Sequence, residues 1–170
     1  MKYISKLIII MFICLSFMGC NKATTVPNDT SSVIKTNQEV DFKIGTYVGD
    51  SAAEKRQGKG KFTWKNGDTY EGEWLDDKMS GNGSFNYVSK DSYIGNYKDN
   101  AKNGQGIFTW KNGETYNGSW ENDTMNGMGE YKFSNGDSYQ GQWKDGKMNG
   151  KGTYFFKNGK NLVKDWNNNK

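Results

Sequence analysis

A 23-residue period runs through most of this chain and constrains its fold more than any other feature. Tyr47, Tyr70, Tyr93, Tyr116 and Tyr139 recur at that interval, and two residues after each come Gly49, Gly72, Gly95, Gly118 and Gly141. Four residues after the tyrosine stand Trp74, Tyr97, Trp120 and Trp143, with Ser51 breaking the pattern in the first copy. Paired glycines follow (Gly58/Gly60 to Gly150/Gly152), then Phe62, Phe85, Phe108, Tyr131 and Tyr154, each with a second ring two residues on. A fragment of a sixth copy begins at Leu162 and puts Trp166 in the Trp register. A fixed period of this length is the mark of a repeat architecture in which each unit packs only on its neighbours.

Strand geometry says what one unit builds. Gly60, Phe62 and Trp64 share one face of a strand, and Tyr70, Gly72 and Trp74 share one face of the next. The alternating residues Lys61, Thr63, Thr69, Glu71 and Glu73 are polar and face the other way. Between the two runs lies Asn66-Gly67, a pair that takes positive φ at little cost, so a tight primed turn fits. The stretch Leu75–Ser80 reads as a longer loop to the next unit. The expectation is an all-β fold: an elongated single-layer antiparallel sheet of stacked 23-residue β-hairpin repeats. Roughly ten strands at ~4.8 Å would form a ribbon on the order of 50 Å long. Glycines on the ringed face would let a ring from the neighbouring unit lie across bare backbone. The six tryptophans (Trp64, Trp74, Trp110, Trp120, Trp143, Trp166) read first as core. The alternative is a groove that stacks on sugar faces or cages a quaternary ammonium.

Composition removes several functions. There is no histidine, which excludes His-dependent triads, His general bases and His metal ligands. The formal charge of +4 is spread over interspersed acids and bases, so nucleic acid is not an expected partner. Carboxylates recur after the tight turn (Asp68, Asp91, Glu114, Asp137) and at the start of the longer loop (Asp76, Asp99, Asp145). Repetition gives each the same local task, accepting backbone N–H bonds in a turn, rather than the unlike pair a glycosidase requires. Asp76-Asp77 matches no Ca²⁺ loop spacing. No metal, cofactor or catalytic residue is expected. Met79, Met125 and Met148, with Lys102 in the equivalent place, form a loop row read as caps over the rings or as a soft contact strip for a partner.

The N-terminus reads differently. Lys2 and Lys6 precede the apolar run Leu7–Met18, which falls short of the ~20 residues of a transmembrane helix and describes a secretory signal. Its end, Phe17-Met18-Gly19-Cys20, resembles a bacterial lipoprotein box, with Phe17 and Met18 departing from the usual residues. That resemblance implies cleavage between Gly19 and Cys20, lipid attachment at Cys20, and an exported, membrane-anchored lipoprotein of a bacterial cell envelope. The alternative is a plain signal peptide with an incidental cysteine. The segment Asn21–Asp41 is polar and holds the one proline, Pro27. It reads as a flexible linker, the alternative being an extra edge strand from Val26 or Val33–Ile34. The expected division is therefore 1–19 signal peptide, 20–41 lipidated cysteine and linker, 42–161 five repeats, and 162–170 a partial sixth repeat and cap.

The pattern Tyr-x-Gly-x-Trp followed by Gly-x-Gly at a 23-residue period, from Tyr47 to about Gly159, resembles the MORN (membrane occupation and recognition nexus) repeat. The resemblance implies stacked hairpins and a non-catalytic role in protein contacts, self-association or binding to membrane phospholipid. The expected function is a membrane-anchored protein-interaction scaffold, whose protein partner the sequence does not name, with a homodimer through an open sheet edge. The alternative is a binding module for anionic phospholipid head groups or cell-wall glycan. Neither reading calls for an enzyme.

Overall fold

The computed structural model describes residues 34–170. The signal peptide, Cys20 and the first part of the expected linker lie outside the described residues.

Twelve strands follow in chain order: β1 (Lys35–Phe42), β2 (Gly45–Ala52), β3 (Lys55–Trp64), β4 (Thr69–Leu75), β5 (Lys78–Asn86), β6 (Ser92–Lys98), β7 (Ala101–Thr109), β8 (Thr115–Glu121), β9 (Thr124–Lys132), β10 (Ser138–Lys144), β11 (Lys147–Phe155) and β12 (Asn161–Trp166). They form one antiparallel sheet in which every strand pairs with its sequence neighbours. Among the described residues the sheet is open, with β1 and β12 at its edges. Two of these strands exceed the expected ten. One is β12, from the partial sixth copy. The other is β1, which corrects the linker reading: Lys35–Asp41 pairs with β2 through Glu39↔Val48 and Val40↔Tyr47. The local composition reads as linker because β1 is exposed along nearly its whole length, so no apolar period marks it.

The two turn types are the reverse of the sequence expectation. At Asn66-Gly67 the Gly67 N–H donates to Trp64 O (2.9 Å) and the Trp64 N–H to Asp68 O (3.0 Å), closing a three-residue loop. Gly67 alone has positive φ (97°). This is a type I turn followed by a left-handed residue, one of the common hairpin solutions. The stretch read as a longer loop holds the true two-residue turn. Asp76 and Asp77 have φ of 47° and 67°, and Asp99-Asn100, Asn122-Asp123 and Asn168-Asn169 repeat it. Both central residues of a type I′ turn need positive φ, and short Asp and Asn side chains tolerate it better than other non-glycine residues. Met79 therefore belongs to β5, not to a loop.

The core is a single layer of rings on one face. Tyr70 pairs across the sheet with Phe62 on β3 and Phe85 on β5, and its neighbouring Gly72 pairs with Gly60 and Gly83. The Tyr70 ring lies flat across Gly72 of its own strand and Gly83 of the next, and its hydroxyl donates to Glu73 O (3.0 Å). A Cβ on Gly72 would sit 2.5 Å from both the Tyr70 hydroxyl and the Gly83 Cα, which is why both positions are glycine. The same hydroxyl bond, three residues on, is made by Tyr47, Tyr93, Tyr116 and Tyr139. All five tyrosines are buried to 1% exposure or less.

Candidate functional site

The repeat motif residues and the rest of the rings separate into two rows with different surroundings. In the first row, each indole stands edge-on between two tyrosines. Trp74 lies 5.5 Å from Tyr47 and 5.1 Å from Tyr70; Trp120 lies 5.4 Å from Tyr93 and 5.2 Å from Tyr116. Trp143 repeats the arrangement, and Trp166, at the end of the array, stands edge-on to Tyr139 alone. Each indole N–H reaches back to a glycine carbonyl: Trp74 to Gly60, Trp120 to Gly106, Trp143 to Gly129 and Trp166 to Gly152, at 3.0–3.2 Å. This row is buried, and its tyrosines, glycines and tryptophans are structural.

Tyr97 takes the Trp position in the third unit, packed edge-on to Tyr70 and Tyr93 at 5.1 and 5.2 Å. Its hydroxyl is buried without a partner, and burial raises its pKa. Removing an orphaned polar atom while keeping the shape is neutral or stabilising, whereas removing a satisfied one is not. Tyr97→Phe should therefore raise the urea midpoint, by about 1 kcal/mol of stability, while Tyr116→Phe should lower it by about the same amount. A loss of stability in Tyr97→Phe would mean that its hydroxyl is bonded after all.

The second row is the candidate site. From Phe42 through Phe62, Trp64, Phe85, Tyr87, Phe108, Trp110, Tyr131, Phe133 and Tyr154 to Phe156, every ring meets the next at a centroid distance of 4.4–6.0 Å. Trp64, Tyr87, Trp110 and Phe133 are half-buried and Phe156 is exposed. The expectation that all six tryptophans are core thus holds for four and fails for Trp64 and Trp110. Their position was readable: Trp64 ends β3 and Trp110 directly follows β7, each beside the three-residue loop, where no following strand residue can cover it.

Along the opposite edge of this face runs the row read as a methionine strip. Met79, Met125 and Met148 pack against the ring core, as caps would. The first and third places hold cations instead. The Arg56 guanidinium lies 4.3 Å from the Trp74 centroid and pairs with Asp77 at 3.1 Å. The Lys102 ammonium lies 5.4 Å from the Trp120 ring and 3.1 Å from Asp123. Reading across the repeats, a cation here accompanies Asp 21 residues on, and methionine accompanies Asn100, Asn169 or Gly146. That correlation is present in the sequence, and the reading above missed it.

The carboxylates after the Asn-Gly turn serve the loops, as the turn expectation required, whereas Asp76 and Asp99 in the other set accept from Lys55 (3.3 Å) and Lys78 (2.8 Å) rather than from backbone N–H groups. Asp68 accepts from the Val88 N–H (2.8 Å), Asp91 from Lys111 (2.7 Å), Glu114 from Ser134 (3.2 Å) and Asp137 from Lys157 (2.8 Å). Each bond straps one loop to the next. Glu114 also accepts from Tyr131 and Asp137 from Tyr154. These bonds hold both carboxyls below the usual range, with the Tyr131 hydroxyl dominating at Glu114 and the Lys157 N–H at Asp137. Burial, then charge repulsion by Asp50, pushes Tyr47 up to about 12; burial, then the bond to Asp137, does the same for Tyr154. The depressed carboxylates stabilise the fold above their ordinary pKa, and that contribution disappears as pH falls through the depressed values. The raised tyrosines stabilise it below about pH 10, and theirs disappears as pH rises towards about 12. Urea midpoints should therefore be flat between about pH 5 and 9.5 and fall on both sides, with the alkaline loss tracking tyrosinate absorbance.

Among the described residues no group of three or more His, Cys, Asp or Glu side chains could hold a metal ion, and no helix is long and apolar enough to cross a membrane.

An open sheet of similar hairpins with a buried Tyr-Gly-Trp seam and a half-exposed ring row defines a repeat-built binding module, whose contact surface grows with the number of units. The MORN repeat model matches residues 45–69, 70–92, 93–115, 116–138 and 139–160, well over half of the chain. The chain therefore belongs to the MORN-repeat family. No curated protein matches it. Among solved structures it is similar to the SAS-4 (dCPAP) TCP domain of Drosophila melanogaster, determined in complex with a proline-rich motif of Ana2 (dSTIL). The likeness has 13% identity, a TM-score of 0.45, and covers 86% of each chain.

Proposed function

We propose that this protein is a non-catalytic binding module that docks an extended segment of a partner protein along its half-exposed ring row. The lipidated Cys20 would hold it on a membrane as an interaction scaffold. One observation carries the docking reading: Trp64, Tyr87, Trp110, Phe133 and Phe156 recur once per two strands on one face. Two strand spacings are about 10 Å. A polyproline II segment turns once in three residues and rises about 9 Å in doing so. Every third side chain of such a segment would meet successive rings, and aromatic-lined surfaces are the usual receptors for that conformation. The full-length protein should bind peptides with proline at every third position, quenching tryptophan fluorescence, and should not bind a scrambled peptide. Trp64→Leu combined with Trp110→Leu should abolish this without altering circular dichroism. Equal binding of the scrambled peptide would overturn the reading.

A second reading, anionic phospholipid, is favoured by the three-residue-loop edge. Lys43, Lys65, Lys90, Lys111, Lys157 and Lys160 lie there exposed, while the acids of the same loops accept backbone N–H bonds. Flotation of the Cys20→Ser full-length protein with anionic liposomes, weakening with salt, would support it. Absence of flotation would leave Cys20 as the sole proposed anchor.

A further inference from the structure

One unit departs from the rule that closes all the others. The second residue after each type I′ turn pair is tied by a side chain 21 positions later. The Arg56 N–H donates to Asp77 Oδ1 (3.0 Å), Met79 to Asn100 (2.8 Å), Lys102 to Asp123 (3.0 Å) and Met148 to Asn169 (2.8 Å). At Met125 the corresponding residue is Gly146, which has no side chain to accept. The turn itself is in place, since Gly146 N–H still donates to Met125 O (3.0 Å) and its φ of 74° matches the 72° of Asn100. A Cβ built there meets nothing nearer than Thr124 Cγ2 at 3.9 Å. The space left is a hollow of about 280 Å³ bordered by Gly146, Met125, Lys102, Asp123 and the Trp110 ring.

We propose that this hollow is a binding site for an N-acetylated amino sugar. The missing group is a carboxamide whose carbonyl oxygen would accept from Met125. An acetamido group presents the same carbonyl, with a methyl in place of the side-chain stem. The half-buried Trp110 offers an apolar wall for the C–H face of a pyranose, and buried rings with a few placed polar groups are the ordinary make-up of a small-ligand site. Asp123, more than half exposed, can accept from sugar hydroxyls. Lys102 is 12% exposed and already neutralised by Asp123, so the site favours a neutral ligand over a carboxylate. The volume is at the small end for ligand pockets and suits one sugar residue.

Trp110 also belongs to the ring row, so the decisive variant is Gly146→Asn, which leaves that row untouched. Asn already occupies this conformation at Asn100 and Asn169, and its carboxamide would take the acceptor position beside the Met125 N–H that the acetamido group needs. The experiment is saturation-transfer NMR on the full-length protein with N-acetylglucosamine and glucose, together with amide shifts. The expected result is saturation strongest at the acetamido methyl, a shift of the Met125 amide, and a Kd on the order of millimolar. Gly146→Asn should weaken binding at least tenfold while raising the urea midpoint. Equal saturation of glucose, an unmoved Met125 amide, or full binding by Gly146→Asn would each overturn the site.

Discussion

Gly129→Ala should destabilise the protein by about 3 kcal/mol or more, far beyond the cost of a methyl group on an ordinary strand. Gly129 has no positive φ, so the penalty is steric alone. The new Cβ would lie 2.5 Å from Tyr116 Cε2 and 2.6 Å from Cζ. Tyr116 cannot yield: it is fully buried, its hydroxyl donates to Ser119 O (2.9 Å), and Trp120 and Trp143 stand edge-on to it at 5.2 and 5.3 Å. Lifting the ring breaks all three contacts together. Gly113→Ala is the control. Nothing lies within 4 Å of a Cβ there, and only its φ of 86° is unfavourable, a cost of about 1 kcal/mol. Urea unfolding of the two variants should differ by about 2 kcal/mol. Equal midpoints would mean that the ring does not rest on the glycine pair.

The second large effect is at Trp120. Trp120→Ala should cost about 3–5 kcal/mol, the range for deleting a large buried ring. The indole is 6% exposed, links Tyr93 to Tyr116, and donates to Gly106 O (3.1 Å). Trp120→Phe keeps much of the packing but loses that bond and part of the ring system, at a cost of about 1–2 kcal/mol. In a nearest-neighbour array a defect this large weakens the coupling between units. Hydrogen exchange in Trp120→Ala should therefore rise first in β7–β9, ahead of β3–β5. Uniform acceleration along the whole sheet would show that it unfolds as one cooperative block. Equal costs for the two substitutions would place the energy in the hydrogen bond rather than in the ring.

Much of this was legible without coordinates. The 23-residue spacing, the alternation of Phe62 and Trp64 with Thr63, and the need for glycine beneath a ring follow from strand periodicity and from the bulk of an aromatic side chain. The turn types did not follow. Asn66-Gly67 carries the stronger hairpin signal, yet its loop is strapped to both neighbours, by Lys65 N–H to Ile44 O and by Asp68 to the Val88 N–H. The two-residue turn stands instead at Asp76-Asp77, itself strapped by the Asp77 N–H to Arg56 O (3.2 Å), so both turn types are fixed by contacts between units that the local sequence does not display. Strand β1 was hidden because an exposed edge strand needs no apolar face. The Arg56/Asp77 and Lys102/Asp123 pairings were visible as a correlation between repeats, though only the register shows that the partners touch.

The sequence by itself determined the unit, its length and its buried seam, because each depends on contacts within a residue or two along a strand or at one repeat's separation. The tertiary structure decided which rings stay half-exposed, that Tyr97 buries an unpartnered hydroxyl, and that Gly146 leaves a hollow beside Met125. Each of these rests on how groups distant in sequence meet across the sheet, as in the Tyr70–Tyr97 contact and the Lys102–Asp123 bond. Their atomic distances come from register and bulge, which a period in the sequence does not carry.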